Sequence, residues 1–481
     1  AAAGVHALGI GHISAHLDDR FRLLSHGSRV ALPRHRTLRA AVDWSYGLLR
    51  EPERRLFDRL AVFVGGFDLD AVGAVWSPAE DGPEAADTLL TRLVDTSLVA
   101  AEAATATTRR FRMLETLRAY GLERLGDRGE AARWRDRHAA YVLALVESAR
   151  TGLRGDGQAA WLRRLATEHG NIRAALAWSH ERGDAPTAVR LAGSLYPLWD
   201  RHGHYSEGRR WLSRVLAMPG AVPADVRARA WESAAGLAVV QGDLLRATEA
   251  GERAAALSRQ AGDPAGEARA LQHLGLVAVY SGEPDAATAV LDLSLAQARA
   301  ADDEWLRGWS LLFMAIAALA RAQYDRTTEL SAACEAVLPA SGDPECRGWA
   351  LTLRAAAAWR RGEPMAAIAP MSEGLRVFQE LGHLWGLSVC FLLAAQLAGR
   401  RDDALTAATL LGASETLRGS VGAALLPFVR PWLDEAVVLA RDRLGPGPFD
   451  RAWRAGAAAP VAASAAMAIG ETDPPGPAPW A

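Results

Sequence analysis

A ruler of forty residues, laid along the middle of the chain, keeps landing on the same kinds of side chain. Positions 231, 271, 311, 351 and 391 are Trp, Leu, Leu, Leu and Phe, and four places further on stand Ala235, Gly275, Ala315, Ala355 and Ala395. Small residues return on the same ruler at Ala247, Ala287, Thr327, Ala367 and Ala407, and again at Ala254, Ser294, Cys334, Gly374 and Ser414. Large residues alternating with small ones at this spacing describe a pair of helices in close approach, once per unit. Turn formers punctuate the pattern about every twenty residues, at Gly242, Gly262, Gly282, Asp302, Gly342, Gly362, Gly382 and Asp402, with Ala322 as the plain exception. Such units cover their apolar faces only by stacking on their neighbours, so the period excludes a fold built around one central core.

This order of large, small, turn, small, small resembles the tetratricopeptide repeat, whose usual period of about 34 residues is stretched here. The resemblance runs from about Asp225 to Leu417 and implies an all-α solenoid with a broad concave face. Counted along the first helix of each unit, Arg229, Arg269, Trp309, Trp349 and Trp359 fall where such repeats face their groove. Arginine beside aromatic side chains suits a partner or inducer surface. The competing reading is packing between helices, which is where tryptophan at helical spacing usually goes, and the chain has 16 of them.

Composition narrows the chemistry. At 481 residues, with 50% hydrophobic and 23% charged residues, the chain matches an ordinary globular protein of several domains. It contains no lysine, so all 54 basic residues are arginine. A P-loop needs its lysine on the phosphates, and Schiff-base catalysis needs one as nucleophile, so neither can be built from these residues. A net charge of −2 gives no overall attraction to nucleic acid or to an acidic membrane surface. Cys334, Cys346 and Cys390 lack metal-type spacing and are expected as buried packing. With no long apolar span and no charged start to a secretory signal, the expected location is the cytoplasm and no membrane contact.

Ahead of the repeats the pattern is different. Helical spacing marks 13–24, which with 1–33 is expected as the remnant of a preceding helical domain. Helices follow over 37–49 and from Pro52 through Phe63, then a short one capped by Asp68 and another capped by Asp87. Ser97 to Ala100 and Arg110 to Leu114 read as two strands of a wing around an Ala/Thr-rich turn. Short helices followed by a β-hairpin suggest a winged-helix module over 34–126. A helical connector occupies 127–222, with helices over 134–146, 158–178, 187–198 and 207–216. Repeats then fill 223–418, capping helices over 430–444 and 449–468 lie within 419–469, and a proline-rich tail expected to be disordered takes 470–481.

Several blocks carry a second resemblance: Leu32-Pro33-Arg34-His35-Arg36-Thr37-Leu38, Asp43-Trp44-Ser45-Tyr46, Val62-Phe63-Val64-Gly65-Gly66-Phe67, Leu93-Val94-Asp95-Thr96-Ser97-Leu98 and Met113-Leu114-Glu115-Thr116-Leu117-Arg118. With Glu168-His169-Gly170-Asn171-Ile172-Arg173, Gly208-Arg209-Arg210-Trp211-Leu212 and Leu410-Leu411-Gly412-Ala413, they resemble the region after the nucleotide-binding domain in bacterial STAND-type regulators, the large LuxR-like and antibiotic-regulatory activators. The resemblance implies an upstream ATPase acting as switch, a winged helix acting as lever and helical repeats that sense an inducer or protein partner. ATP or ADP is then expected only through an NTPase domain in cis that these residues do not contain. The family's nucleotide-sensing Met-His-Asp triplet aligns with Met113-Leu114-Glu115, where the histidine has become leucine.

Other constellations are weaker. Arg34, Arg36 and Arg39, with Arg109, Arg110 and Arg112 on the proposed wing, could meet DNA phosphates or bind carboxylates of neighbouring domains. His202 and His204 have an HxH spacing without a third ligand, and the glycine between them marks a turn. Gly9-Ile10-Gly11 lacks the rest of a dinucleotide fingerprint, and no nucleophile elbow occurs. Acids at Asp243, Asp263, Glu283, Asp343 and Glu363 sit where helix capping explains them. The expectation is a non-catalytic regulator with no metal and no cofactor of its own; a DNA-binding regulator and a plain interaction scaffold are the alternatives.

Overall fold

The computed structural model describes residues 38–102, 109–338 and 342–470. The helix expected over 13–24, Arg34, Arg36 and the tail from 471 lie outside them. Among the described residues two compact units emerge: 38–144 with 167–182, and 145–166 with 183–470. The connector expected over 127–222 is therefore not one body but is shared between them.

In the first unit α1 (Leu38–Gly47), α2 (Glu51–Leu60), α3 (Leu69–Val75), α4 (Pro78–Asp81) and α5 (Ala86–Asp95) precede β1 (Ala100–Ala101), β2 (Phe111–Arg112) and α6 (Glu115–Asp127). Pro52 and two acids in the first turn favour the start of α2, which buries Leu56, Phe57 and Leu60. Asp68 caps α3 by accepting from Ala71 N at 2.9 Å. Asp87 does not cap α5; it lies in the first turn, and Ala85 holds the cap position. Among the described residues the wing pairs Ala100 with Arg112 and Ala101 with Phe111, and Glu102 N donates to Arg110 O at 2.9 Å. Its near end is cut back because Ser97 adopts φ 60 to end α5, with Leu98 N bonded back to Leu93 O. Phe67 adds a rung, exchanging backbone hydrogen bonds of 2.9 and 2.8 Å with Phe111.

Next come α7 (Ala131–Gly152), α8 (Gln158–Thr167), α9 (His169–Glu181), α10 (Ala185–Ser194), α11 (Tyr196–Arg201) and α12 (Tyr205–Leu216). The single helices expected over 158–178 and 187–198 are each two. Pro197 explains the second break, since its ring collides with the carbonyl four residues back and it donates no hydrogen bond. Of these helices α9 belongs to the first unit, and α7 belongs to it as far as residue 144.

Five hairpins fill the centre of the second unit. Their first helices are α13 (Ala224–Val240), α15 (Pro264–Tyr280), α17 (Glu304–Ala320), α19 (Pro344–Arg360) and α21 (Leu384–Arg400). Their second helices are α14 (Leu244–Ala261), α16 (Pro284–Ala300), α18 (Tyr324–Val337), α20 (Pro364–Leu381) and α22 (Ala404–Val421). Every start is forty residues from the last of its kind. Within hairpins the turn residue has positive φ at Gly242, Gly282, Ala322, Gly362 and Asp402. Ala322 thus breaks the rhythm in residue type and keeps it in conformation. Aspartates 243, 263, 303, 343 and 403 each accept a backbone N–H at the next helix start, whereas Glu283 and Glu363 make no such bond. Cys334, Cys346 and Cys390 are free and buried.

Each first helix packs on the first helix of the next hairpin as well as on its own partner. The row curls until Ala424, just past the fifth hairpin, donates from its backbone to Val240 O in the first at 2.7 Å. Then α23 (Arg430–Leu444), α24 (Pro446–Ala458) and α25 (Val461–Ile469) cover the last hairpin. The helix expected over 449–468 is interrupted at Pro460, for the same reason as at Pro197.

Candidate ligand-binding cavity

The curl gives the first helices a common inner face, and a cavity of about 240 Å³ lies against it. That volume is close to the lower end of the ~300–1,000 Å³ usual for small-molecule pockets. One line of lining residues is Arg229, Arg269, Trp309, Trp349 and Val389, forty apart; another is Ser233, His273, Phe313, Leu353 and Leu393. Both run from polar to apolar in chain order. Further wall comes from Arg150 and Arg154, from Asp200 and Arg201, and from the loop Ala424, Leu425, Leu426, Phe428 and Val429. Four of the five surface residues expected from the repeat are thus brought together. Trp359 is not among them: ten residues after Trp349, it points off the inner face, with the Arg400 guanidinium 5.0 Å from its ring centre.

The polar end is rich in arginine. Arg269 approaches Glu232 at 3.4 Å and Asp263 at 3.7 Å, and His273 Nε2 lies 3.2 Å from the other oxygen of Glu232. Burial works to raise the Glu232 pKa, but His273 and Arg269 outweigh it and hold the carboxyl at about 2. Arg229 makes no hydrogen bond or ion pair among the described residues, and burial followed by the like charge of Arg269 pulls its pKa down to about 9. It is still a cation at neutral pH, left without a counter-charge of its own. Arg150, exposed at the rim, has none either, whereas Arg154 is tied to Asp303 at 2.9 Å.

A second charged cluster, deeper in the wall, is structural. Arg201 pairs with Glu345, His383 Nε2 lies 3.3 Å from Glu345 and 3.9 Å from Asp200, and Tyr205 donates to Asp200 at 3.1 Å. Burial raises the Asp200 carboxyl, while Glu345, against the same burial, is held low by Arg201 and His383. These bonds lock α11 to the fourth and fifth hairpins. Asp200, Glu345 and His383 lie close enough together to suggest metal ligation. The histidine argues against it: Nδ1 accepts from Gly386 N at 3.1 Å, so the ring proton sits on Nε2, the only atom facing the carboxylates. Asp343, likewise buried, accepts from the indoles of Trp305 at 2.5 Å and Trp309 at 3.1 Å, fixing both rings at the cavity wall. Trp349 packs edge-on against Phe378 and His383, so it serves packing and lining together.

Among the described residues of the first unit, three of the four arginines singled out from sequence are paired with carboxylates. Arg39 forks onto Glu123 at 3.0 and 2.7 Å, Arg110 pairs with Glu168, and Arg112 meets Glu102 at 3.5 Å; Arg109 is exposed. His202 and His204 flank Gly203, which has φ 71 in the turn between α11 and α12. The role of Glu168 and Asn171 was not foreseen. Asn171 accepts from Val64 N at 2.7 Å and donates to Gly66 O at 2.9 Å and to Glu168 at 2.6 Å, so α9 is pinned under the loop between α2 and α3. Gly170 permits the approach, since a Cβ there would stand 2.6 Å from Val64 O. In the stretch matching the Met-His-Asp triplet, Leu114 is exposed and Glu115 bonds Arg118.

Comparison with known proteins places a winged helix-turn-helix domain at residues 49–126. The chain is homologous to a putative HTH-type transcriptional regulator of Mycobacterium bovis, 44% identical over 283 residues, which is 57% of this chain and 32% of that protein. It therefore spans about a third of the length of the curated relatives it matches. Two solved structures show a looser likeness. A tetratricopeptide repeat protein from Parabacteroides merdae is 15% identical with a TM-score of 0.37, over 62% of this chain and 98% of that one. A STAND protein with a tetratricopeptide repeat sensor from Pyrococcus horikoshii is 14% identical with a TM-score of 0.36, over 92% of this chain and 71% of that one.

Proposed function

We propose, from the premise that this chain is a homologue of putative HTH-type transcriptional regulators, that it is the lever-and-sensor region of a STAND-type regulator. The observation that carries this reading is the cavity at the centre of the hairpin array, in the same chain as a winged-helix domain. A ligand that prefers one curvature of the array shifts the balance between conformations by no more than its difference in affinity for them. An NTPase domain in cis would supply the nucleotide switch, because this chain offers no lysine for a P-loop. On this reading the chain is not an enzyme, holds no cofactor of its own and works in the cytoplasm.

The test is native mass spectrometry of the whole chain after incubation with a metabolite extract. A bound small molecule that is lost when Ile316→Trp fills the cavity supports the sensor reading. If the parent retains nothing that the filled variant lacks, the reading falls. Direct DNA contact by the winged helix is a second reading, favoured by the family match. Duplex binding that weakens steeply with salt would support it, and no shift at low salt would remove it.

A further inference from the structure

We propose that the cavity binds a monoanionic amphiphile, a small molecule with a carboxylate-type head at α13 and α15 and an apolar body among α17, α19 and α21. The inference rests on the sensor reading and adds the chemistry of the ligand. It starts from the gradient along the inner face: Arg229 and Arg269 stand at the register where later hairpins carry Trp309, Trp349 and Val389. A ligand lying along the curl meets unpaired charge at one end and a largely apolar wall at the other, where Arg418 is already neutralised by Glu415 at 2.7 Å.

The charge at the head end is countable. Arg150, Arg229 and Arg269 line it, close enough that the positive charge of Arg269 bears on both of the others. Two carboxylates face them without a cation elsewhere, Glu232 and Asp263, and both contact Arg269. Glu147, which also acts on Arg150, is paired with Arg190 at 2.6 Å, and Arg154 with Asp303 at 2.9 Å, so those charges cancel. One positive charge is left over, so a single negative charge fits and a dianion overshoots. A guanidinium presents paired donors that match the two oxygens of a carboxylate. At the other end, Leu353, Leu393, Leu425 and Phe428 line the wall and offer no charge and no side-chain hydrogen bond. They favour an alkyl or otherwise apolar body through area removed from water.

The test uses the whole chain and three probes of equal length, decanoate, 1-decanol and decyltrimethylammonium, with octanoate and dodecanoate to vary the tail. Binding is followed by calorimetry and by the fluorescence of the cavity tryptophans, below the concentrations at which the probes aggregate. The expected result is one site per chain, with a carboxylate of the series bound roughly tenfold or more tighter than the alcohol or the cation. Arg229→Gln should remove that preference and leave the alcohol unchanged, Arg229→Lys should restore part of it, and Ile316→Trp should abolish all binding. Equal affinity for the three probes overturns the proposal, as does a folded Arg229→Gln variant that binds decanoate like the parent. If no carboxylate binds while a molecule from the extract still distinguishes parent from Ile316→Trp, the amphiphile assignment fails and the sensor reading stands. If neither binds, both fail.

Discussion

Ala322 occupies a turn position with φ 56, a conformation that costs an L-residue about 1–2 kcal/mol and glycine almost nothing. Ala322→Gly should therefore stabilise the array by about 0.5–1 kcal/mol after the added freedom of the unfolded chain is subtracted, read as a higher urea midpoint at unchanged slope. A second residue-scale effect depends on pH. Burial holds the His138 imidazole down at about 4, with Nε2 3.2 Å from Asn171 Oδ1. The unfolded chain, with an ordinary histidine pKa near 6.5, binds the proton more readily. Stability from this site is complete above about pH 6.5 and erodes as the pH falls towards 4, by about 2 kcal/mol at pH 5. Thermal melts of the parent and His138→Gln should diverge over that window. The comparison matters because burial also pushes the Asp58 carboxyl up to about 7, which acts in the opposite sense. Neither effect was legible beforehand: residue types show that a turn or a histidine exists, not which backbone angle or which burial it receives.

At the scale of elements, close approaches divide into forgiving and unforgiving ones. A Cβ on Gly456 would stand 1.8 Å from Thr409 O, where α24 crosses α22 and only backbone could move. Gly456→Ala is expected to cost about 3 kcal/mol or more and to free α24, seen as early loss of amide protection in that helix. Gly275→Leu meets the flexible Leu291 side chain, whose Cδ2 is 2.5 Å from the ideal Cβ, and should cost roughly 1–3 kcal/mol in denaturant unfolding. The Gly275 contact belongs to the forty-residue pattern and could be named from sequence. The Gly456 crossing could not, because Gly456 itself lies on a helix outside the repeats and has no register in common with Thr409. The helix breaks follow from residues visible in the sequence: Pro197 and Pro460 each outweigh the continuous apolar pattern around them.

For the whole molecule, the covering helices after the fifth hairpin bury Leu410, Leu411, Ala407 and Ala408. Ending the chain after residue 429 should expose that face, broaden the thermal transition of the array and promote self-association, measured by calorimetry and light scattering. A truncated protein that melts as sharply as the parent and stays monomeric would contradict this. Of the cavity, Arg229, Arg269, Trp309 and Trp349 were accessible to counting, and strict arithmetic would have ended at Val389 instead of Trp359. Arg150, Asp200 and the loop at 424–429 were not accessible, because they arrive from segments with no register in common with the repeats. What the order of amino acids determined alone is the local rule: where helices start, which faces are small, and where the chain turns, since each contact of that kind is made with a near neighbour. Only the tertiary structure decided how far the row curls, which brings Ala424 to Val240 and encloses a graded cavity. Curvature is the sum of small rotations between hairpins, and no single residue specifies a sum.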